Sequence, residues 1–336
     1  MIITGSAVRH GAAASAEPTQ IAVAHFTSPY ITAYPYSSGF GTKYSNPATL
    51  PGATGFGVSF TGDGSEIAVA SDSSPYITAY PFSSGFGTKY SDPGTTPSGT
   101  GSKVAFTYAG DNVAVASTSS PYVLAYPFAS GFGTKYSDPG TLPAGSGSDV
   151  AFPDDGSDVA VAHDNSPYIT AYPFSSGFGT KYSDPGTTPT GLGRGVSFSA
   201  DGSEVAVAHS TSPYITAYPF SSGFGTKRSD PGTLPADNSF SVSFSADGSE
   251  IAVAHNTSPY ITAYPYSSGF GTKYSNPASL PAGAGRGVRF GGSEIAVANS
   301  TTSPYVTAYP FSSGFGTKRS NPGTTPTGSG QGVAFA

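Results

Sequence analysis

Hydrophobic and polar positions alternate along this chain in short runs that return at fixed intervals. From Gly195 onward, Val196-Ser197-Phe198-Ser199 alternates apolar with small polar residues, the period of a half-buried strand. Ala200-Asp201-Gly202-Ser203 follows, where Asp-Gly supplies the positive φ of a tight turn. Glu204 to His209 then sets Val on one face and Ala on the other, which predicts a second strand. Beyond Ser210 to Pro213, the segment Tyr214 to Phe220 is rich in aromatic and β-branched residues that suit a pleated surface. Pro219 cannot donate to a ladder, so it marks a strand end or a bulge. A Ser-Ser-Gly turn leads to Phe224 to Ser229, predicted as a short fourth strand whose Lys227 suits an outer edge. Asp230 to Ser241, rich in Pro, Gly and Ser, returns the chain to the next first strand. No window carries apolar residues at i, i+3, i+4 and i+7, so no helix is predicted.

The same unit recurs seven times. The proline of the Ser-Pro-Tyr triplet stands at Pro29, Pro75, Pro121, Pro167, Pro213, Pro259 and Pro304, five steps of 46 residues and one of 45. A fixed period in this range is the signature of a repeat architecture. Four-stranded meanders repeated around an axis make a β-propeller. Val196 to Ala208 followed by Tyr214 to Tyr218 resembles the WD-repeat class, with Tyr218 where that family has Trp. The resemblance implies an all-β, seven-bladed propeller with four antiparallel strands per blade. The Gly-His and Trp-Asp dipeptides are missing and Pro219 replaces the aspartate, so the family's buried polar network does not carry over. Near-identical copies of this kind also resemble propellers encoded in bacteriophage and environmental genomes, which implies a virion protein.

The chain begins at a second strand and ends at a first one. Gly332-Val333-Ala334-Phe335-Ala336 is therefore expected to pair beside Ile21 to Ala24 and complete the opening blade as its innermost strand. Ala12-Ala13-Ala14 aligns with the first strand Val58-Ser59-Phe60, but its small side chains would bury less apolar area than Val333 and Phe335. The expected organisation is an N-terminal arm over 1–18, disordered or used to dock on a virion partner, and one propeller domain over 19–336.

Composition narrows the chemistry. The 45 Gly and 30 Pro fall at fixed places in each copy and act as turn punctuation, while 22 Tyr and 22 Phe supply core material. Cysteine is absent, which excludes disulfides, thiol nucleophiles and thiolate metal sites. With a formal charge of −6, 10% charged residues and no basic cluster, a nucleic-acid partner is not expected. Met1 to Gln20 shows no Sec-type signal and no stretch reaches membrane-spanning length. Location on a virion or an extracellular surface, reached by another route, is expected, with the cytoplasm as the alternative.

Function is sought where the copies differ. The residue two before each first-strand valine is Phe56, Ser102, Ser148, Arg194, Phe240, Arg286 or Gln331, and the residue between includes Lys103 and Asp149. The loop after each second strand opens with His25, Ser71, Ser117, His163, His209, His255 or Asn299. Strand direction puts both sets on one face. The candidate binding rim is Phe56, Lys103, Asp149, Arg194, Phe240, Arg286 and Gln331, since aromatics and Arg dominate hot spots, together with His25, His163, His209 and His255. The histidines read otherwise as polar strand ends, and residues spread around a rim would not converge on a metal. The Asp-Gly-Ser-Glu stretches read as turns, because the spaced carboxylates of a calcium loop are missing. No cofactor is expected. The seven lysines from Lys43 to Lys318 read as edge protection.

The leading expectation is a non-enzymatic binding or structural module on a particle or cell surface, most plausibly a phage virion appendage engaging a protein or glycan. The alternative is a propeller enzyme of the lactonase or hydrolase kind, its site at the central opening built from Arg194, Arg286, Arg289 and Asp149. A designed repeat protein is a third reading, disfavoured by irregular substitutions such as Leu124 and Tyr108.

Overall fold

The computed structural model describes residues 17–336. It is all-β among these residues, with seven separate three-stranded antiparallel sheets. Six sheets take an inner, a middle and an outer strand in chain order, for example Gly193–Phe198, Glu204–His209 and Ile215–Pro219. In the seventh, the inner position beside Gln20–His25 is filled by Gly330–Phe335 from the far end of the chain. The register pairs Ile21 with Phe335 and Val23 with Val333, as the mismatch of starting and ending strands predicts. The alanine segment 12–14, like most of the expected arm, lies outside the described residues.

No sheet closes on itself; closure is between blades. Each inner strand touches the next in sequence, and Gly330–Phe335 touches both Gly285–Gly291 and Gly55–Phe60, so the inner strands form a ring. Seven apolar clusters lie between neighbouring blades. In one, Ala206, Ala208 and Ala217 of one sheet meet Val242, Phe244, Ile251, Val253 and Tyr264 of the next. The Ile-Ala-Val-Ala alternation of each middle strand thus shows a small face to one neighbour and a large face to the other. Complete burial of such side chains contributes ~1.5–3 kcal/mol each. The buried tyrosine of each outer strand keeps its hydroxyl satisfied by donating to a carbonyl of the preceding connection, as Tyr218 does to Thr187 at 2.8 Å.

The expected fourth strand does not form. After the outer strand the chain makes only an isolated bridge, such as Phe220 with Phe224, a turn bond from Ser221 N–H to the Gly223 carbonyl at 3.1 Å, and two bonds back to the outer strand, Gly225 N–H to the Pro219 carbonyl and Arg228 N–H to the Ala217 carbonyl, both at 2.8 Å. Pro219 accepts but has no N–H to return, so no ladder propagates. The segment lies along the outer edge as irregular chain, tied down by Lys227 pairing with Asp230.

Two of the seven interfaces carry a charged substitution that crosses between blades. Glu294 is buried, pairs with Arg319 of its own blade and accepts a 2.8 Å bond from the Tyr36 hydroxyl across the closure. Glu204, Arg228 and Tyr266 repeat the arrangement. At these two interfaces Arg replaces the usual Tyr of one blade while Tyr replaces the usual Phe of the next. Tyr36→Phe is expected to destabilise by ~1.5–3 kcal/mol, the range for a hydrogen bond to a charged group. A denaturation midpoint equal to that of the parent protein would refute this role.

Candidate functional site at the central opening

The rim is built by a bulge repeated in every blade. Gly193 pairs with His209 and Gly195 with Ala208, which leaves Arg194 unpaired between them. The same shift isolates Phe56, Phe240, Arg286 and Gln331, as well as Ser102 and Ser148. A bulge turns its extra residue out of the ladder and re-aims the side chain. One of the varied positions of the repeat is therefore the one released from pairing. Glycine precedes the bulge in six blades because the chain is crowded there; a Cβ on Gly193 would sit 2.1 Å from the Tyr168 carbonyl oxygen.

Below the rim the inner strands approach each other closely. A Cβ on Gly195 would lie 2.8 Å from the Cα of Ser241 in the next blade. Inner-edge N–H groups here are met by side chains of the preceding blade: Val288 and Phe290 donate to Ser241 and Ser243, and Phe244 donates to Ser197. Asp149 holds the equivalent place with a carboxylate. Its Oδ2 accepts from Val196 N–H at 3.0 Å and its Oδ1 from Val150 N–H at 2.9 Å.

Two cations share this region. Lys103 Nζ donates to the Phe56 and Gln331 carbonyls, both at 2.7 Å, and so spans three inner strands. Arg289, one turn of the pleat deeper, is exposed to the opening and close enough to Asp149 and Asp154 for their charges to act on it. Burial pushes the Asp149 carboxyl up to about 6, against the opposing pull of Lys103, the two N–H donors and Arg289. Burial likewise pushes the Lys103 ammonium down to about 8, with Asp149 opposing. These side chains keep some contact with water while protein surrounds the opening on every side, which is why burial dominates both shifts.

At the mouth, Phe240 carries two guanidinium groups, Arg286 at 4.1 Å and Arg194 at 5.2 Å from its ring centroid. Phe26 packs edge-on against Phe56 at 5.9 Å, which places a loop after a middle strand on the same face as the bulges. The structure thus gathers Arg194, Phe240 and Arg286 into one cluster and links Phe56, Gln331 and Lys103 into another, with Asp149 within reach of the charges of both Lys103 and Arg289.

The four histidines do not join the rim. His25, His163, His209 and His255 have no exposed surface, and each Nε2 bonds a threonine hydroxyl of the outer strand at 2.9–3.0 Å. Each closes the middle strand beneath the bulge, so the neighbouring chain covers it. Two site features went unpredicted. Phe26 stands out as an aromatic residue in a loop that is polar in the other copies. Asp154 was signalled by the doubled acid in Pro153-Asp154-Asp155-Gly156, where no other copy has more than one Asp before the glycine.

No protein-family model and no curated protein sequence matches the chain. Solved structures do. A candidate 6-phosphogluconolactonase from Bacteroides uniformis aligns with TM-score 0.68 at 14% identity, over 96% of this chain and 100% of its own. The periplasmic gluconolactonase of Pseudomonas aeruginosa aligns with TM-score 0.68 at 15% identity, over 94% and 98%. A protein of unknown function from Desulfotomaculum acetoxidans aligns with TM-score 0.69 at 11% identity, over 94% and 98%. At these identities the likeness establishes the repeated β-propeller fold. It also corrects the expectation of a non-enzymatic phage appendage: the neighbours include proteins named as lactonases, and they favour the enzyme alternative over the structural one.

Proposed function

We propose that the chain is a propeller hydrolase of the lactonase type, acting at the central opening. The observation that carries this reading is Asp149, an inner-strand carboxylate held by two backbone N–H groups within reach of the charges of Lys103 and Arg289 and pushed up to about 6 by burial. Such a group is ionised at neutral pH yet basic enough to accept a proton. The fold shared with named lactonases supports the choice of reaction.

In this mechanism water bound beside Asp149 gives up a proton to the carboxylate as its oxygen attacks the lactone carbonyl carbon. Negative charge then develops on the carbonyl oxygen. Lys103 commits two of its three N–H donors to Phe56 and Gln331, leaving one for that oxygen, and Arg289 adds a second positive charge. Collapse breaks the acyl–oxygen bond of the ring, and the departing alkoxide takes the proton from Asp149. The product is a hydroxy acid, ionised at neutral pH.

Activity is expected to be bell-shaped in pH. It falls on the acid side near 6 as Asp149 gains its proton, and on the alkaline side near 8 as Lys103 loses its charge. Asp149→Asn removes the base and, having a single amide oxygen, keeps an acceptor for only one of the Val150 and Val196 N–H groups, so kcat/KM for D-glucono-1,5-lactone or its 6-phosphate should drop at least ~10²–10⁴-fold. Absence of lactone hydrolysis by the parent protein, or full activity in Asp149→Asn, would reject the proposal.

A further inference from the structure

We propose that Arg194, Phe240 and Arg286 form a carboxylate clamp at the mouth, which holds the hydroxy acid released when the lactone ring opens. The inference rests on the hydrolase reading for its ligand, but the site stands on its own geometry. Two like charges lean on one aromatic ring, at 4.1 and 5.2 Å from its centroid. Neither guanidinium has a carboxylate partner among the described residues. Arg194 Nε is buried with no hydrogen-bond partner, and Arg286 Nε has only a 3.4 Å contact to Ser300 Oγ. Unpaired buried donors are costly, and adjacent cations repel, so the arrangement is complete only when an oxyanion joins it. Guanidinium forks match planar carboxylates in bidentate fashion.

Position links the clamp to the reaction. Arg194 is two residues from Val196, whose N–H binds Asp149 Oδ2. Arg194 therefore stands on the inner strand next to that of the base, two residues from the N–H that holds it, and Phe240 and Arg286 follow on the next two inner strands. Of the two lactones, the unphosphorylated one is neutral and offers the clamp no charge, whereas its hydrolysis adds water across the acyl–oxygen bond, releases one proton and creates a carboxylate. The clamp discriminates in favour of product, and inhibition by the hydroxy acid follows.

The test is calorimetric titration of the full-length protein with D-gluconate, sorbitol and inorganic phosphate. Gluconate is expected to bind, sorbitol to bind at least tenfold more weakly, and Arg194→Gln/Arg286→Gln to lose at least tenfold in gluconate affinity. Phe240→Leu keeps both charges but removes the ring they lean on, and should lose several-fold. Equal binding of sorbitol, or gluconate binding that survives loss of both arginines, overturns the proposal. Arginine-dependent binding of phosphate without gluconate also overturns it, assigning the mouth to a phosphate. Gluconate binding without lactone hydrolysis keeps the clamp and removes the hydrolase reading. Hydrolysis without gluconate binding does the reverse.

Discussion

A chain ending at Ser329 should fail to reach the native ring. The missing strand pairs residue for residue with the first one, from Ile21 with Phe335 to Ala24 with Gly332, and the Ala336 carbonyl accepts from Thr19 and Gln20 N–H. Val333 and Ala334 are buried, and Phe335 packs edge-on against Tyr36 at 5.2 Å. Removing the strand also takes one neighbour from each of the inner strands Gly285–Gly291 and Gly55–Phe60. It leaves the edge of Gln20–His25 unpaired, a template for pairing with another chain. Loss of one or two apolar side chains at ~1.5–3 kcal/mol each, together with a ladder of backbone bonds, approaches the whole ~5–15 kcal/mol that holds a typical domain folded. The expected result is loss of cooperative unfolding and association on size-exclusion chromatography. A monomeric product with the parent denaturation midpoint would show that closure contributes nothing.

How much of this was legible depended on whether a feature lies within one repeat or between repeats. The strands around Val196, Val207 and Ile215 follow from alternation inside a single copy. Closure by Val333 follows from counting first and second strands. The fourth strand was overread because Phe224 to Ser229 has strand composition, while Pro219 denies it a donor. The bulge that releases Arg194 and Phe240 leaves no mark in the alternation, although variability singles out the same position. Burial of His209 was missed because a polar residue at a strand end reads as exposed until the covering loop is known. Asp149, Lys103 and Arg289 come from three blades, and they are legible together only because strand direction places the inner-strand ends around one opening, as the enzyme alternative assumes for Asp149 and Arg289. One inter-blade contact was legible in principle: Arg228 with Tyr266, and Arg319 with Tyr36, change together in adjacent copies.

Acid should destabilise the fold sharply, and most steeply between pH 6.5 and 4. Burial, the largest influence, pushes His25, His209 and His255 from 6.5 down to about 4, and pushes His163 down as well. Nearby charges adjust these values only modestly: Lys43 lowers His25, Asp230 raises and Lys227 lowers His209, and Asp237 raises and Lys273 lowers His255. Above 6.5 both folded and unfolded chains carry neutral imidazoles and the buried sites cost nothing. As pH falls through 6.5 the unfolded chain takes up protons that the folded one refuses until about 4, so stability falls with pH over that window. A depression of this size amounts to ~3 kcal/mol per histidine, on the order of 10 kcal/mol for the three. Asp149 works in the opposite sense: its folded pKa is raised, so folding is relieved as pH falls below about 6, by ~3 kcal/mol at most. Burial raises Glu66, Asp154 and Glu250 as well, while hydrogen bonds hold Asp63, and against burial Asp201 and Asp247, low, and the four depressed imidazoles outweigh the raised carboxyls. Serine occupies the same buried position at Ser71 and Ser117, so the variant His25→Ser/His209→Ser/His255→Ser has a precedent within the chain. Guanidinium denaturation at pH 7.5 and 4.5 should show a large drop for the parent protein and a much smaller one for the variant. Equal drops in both would mean that the imidazoles gain their protons without leaving the fold.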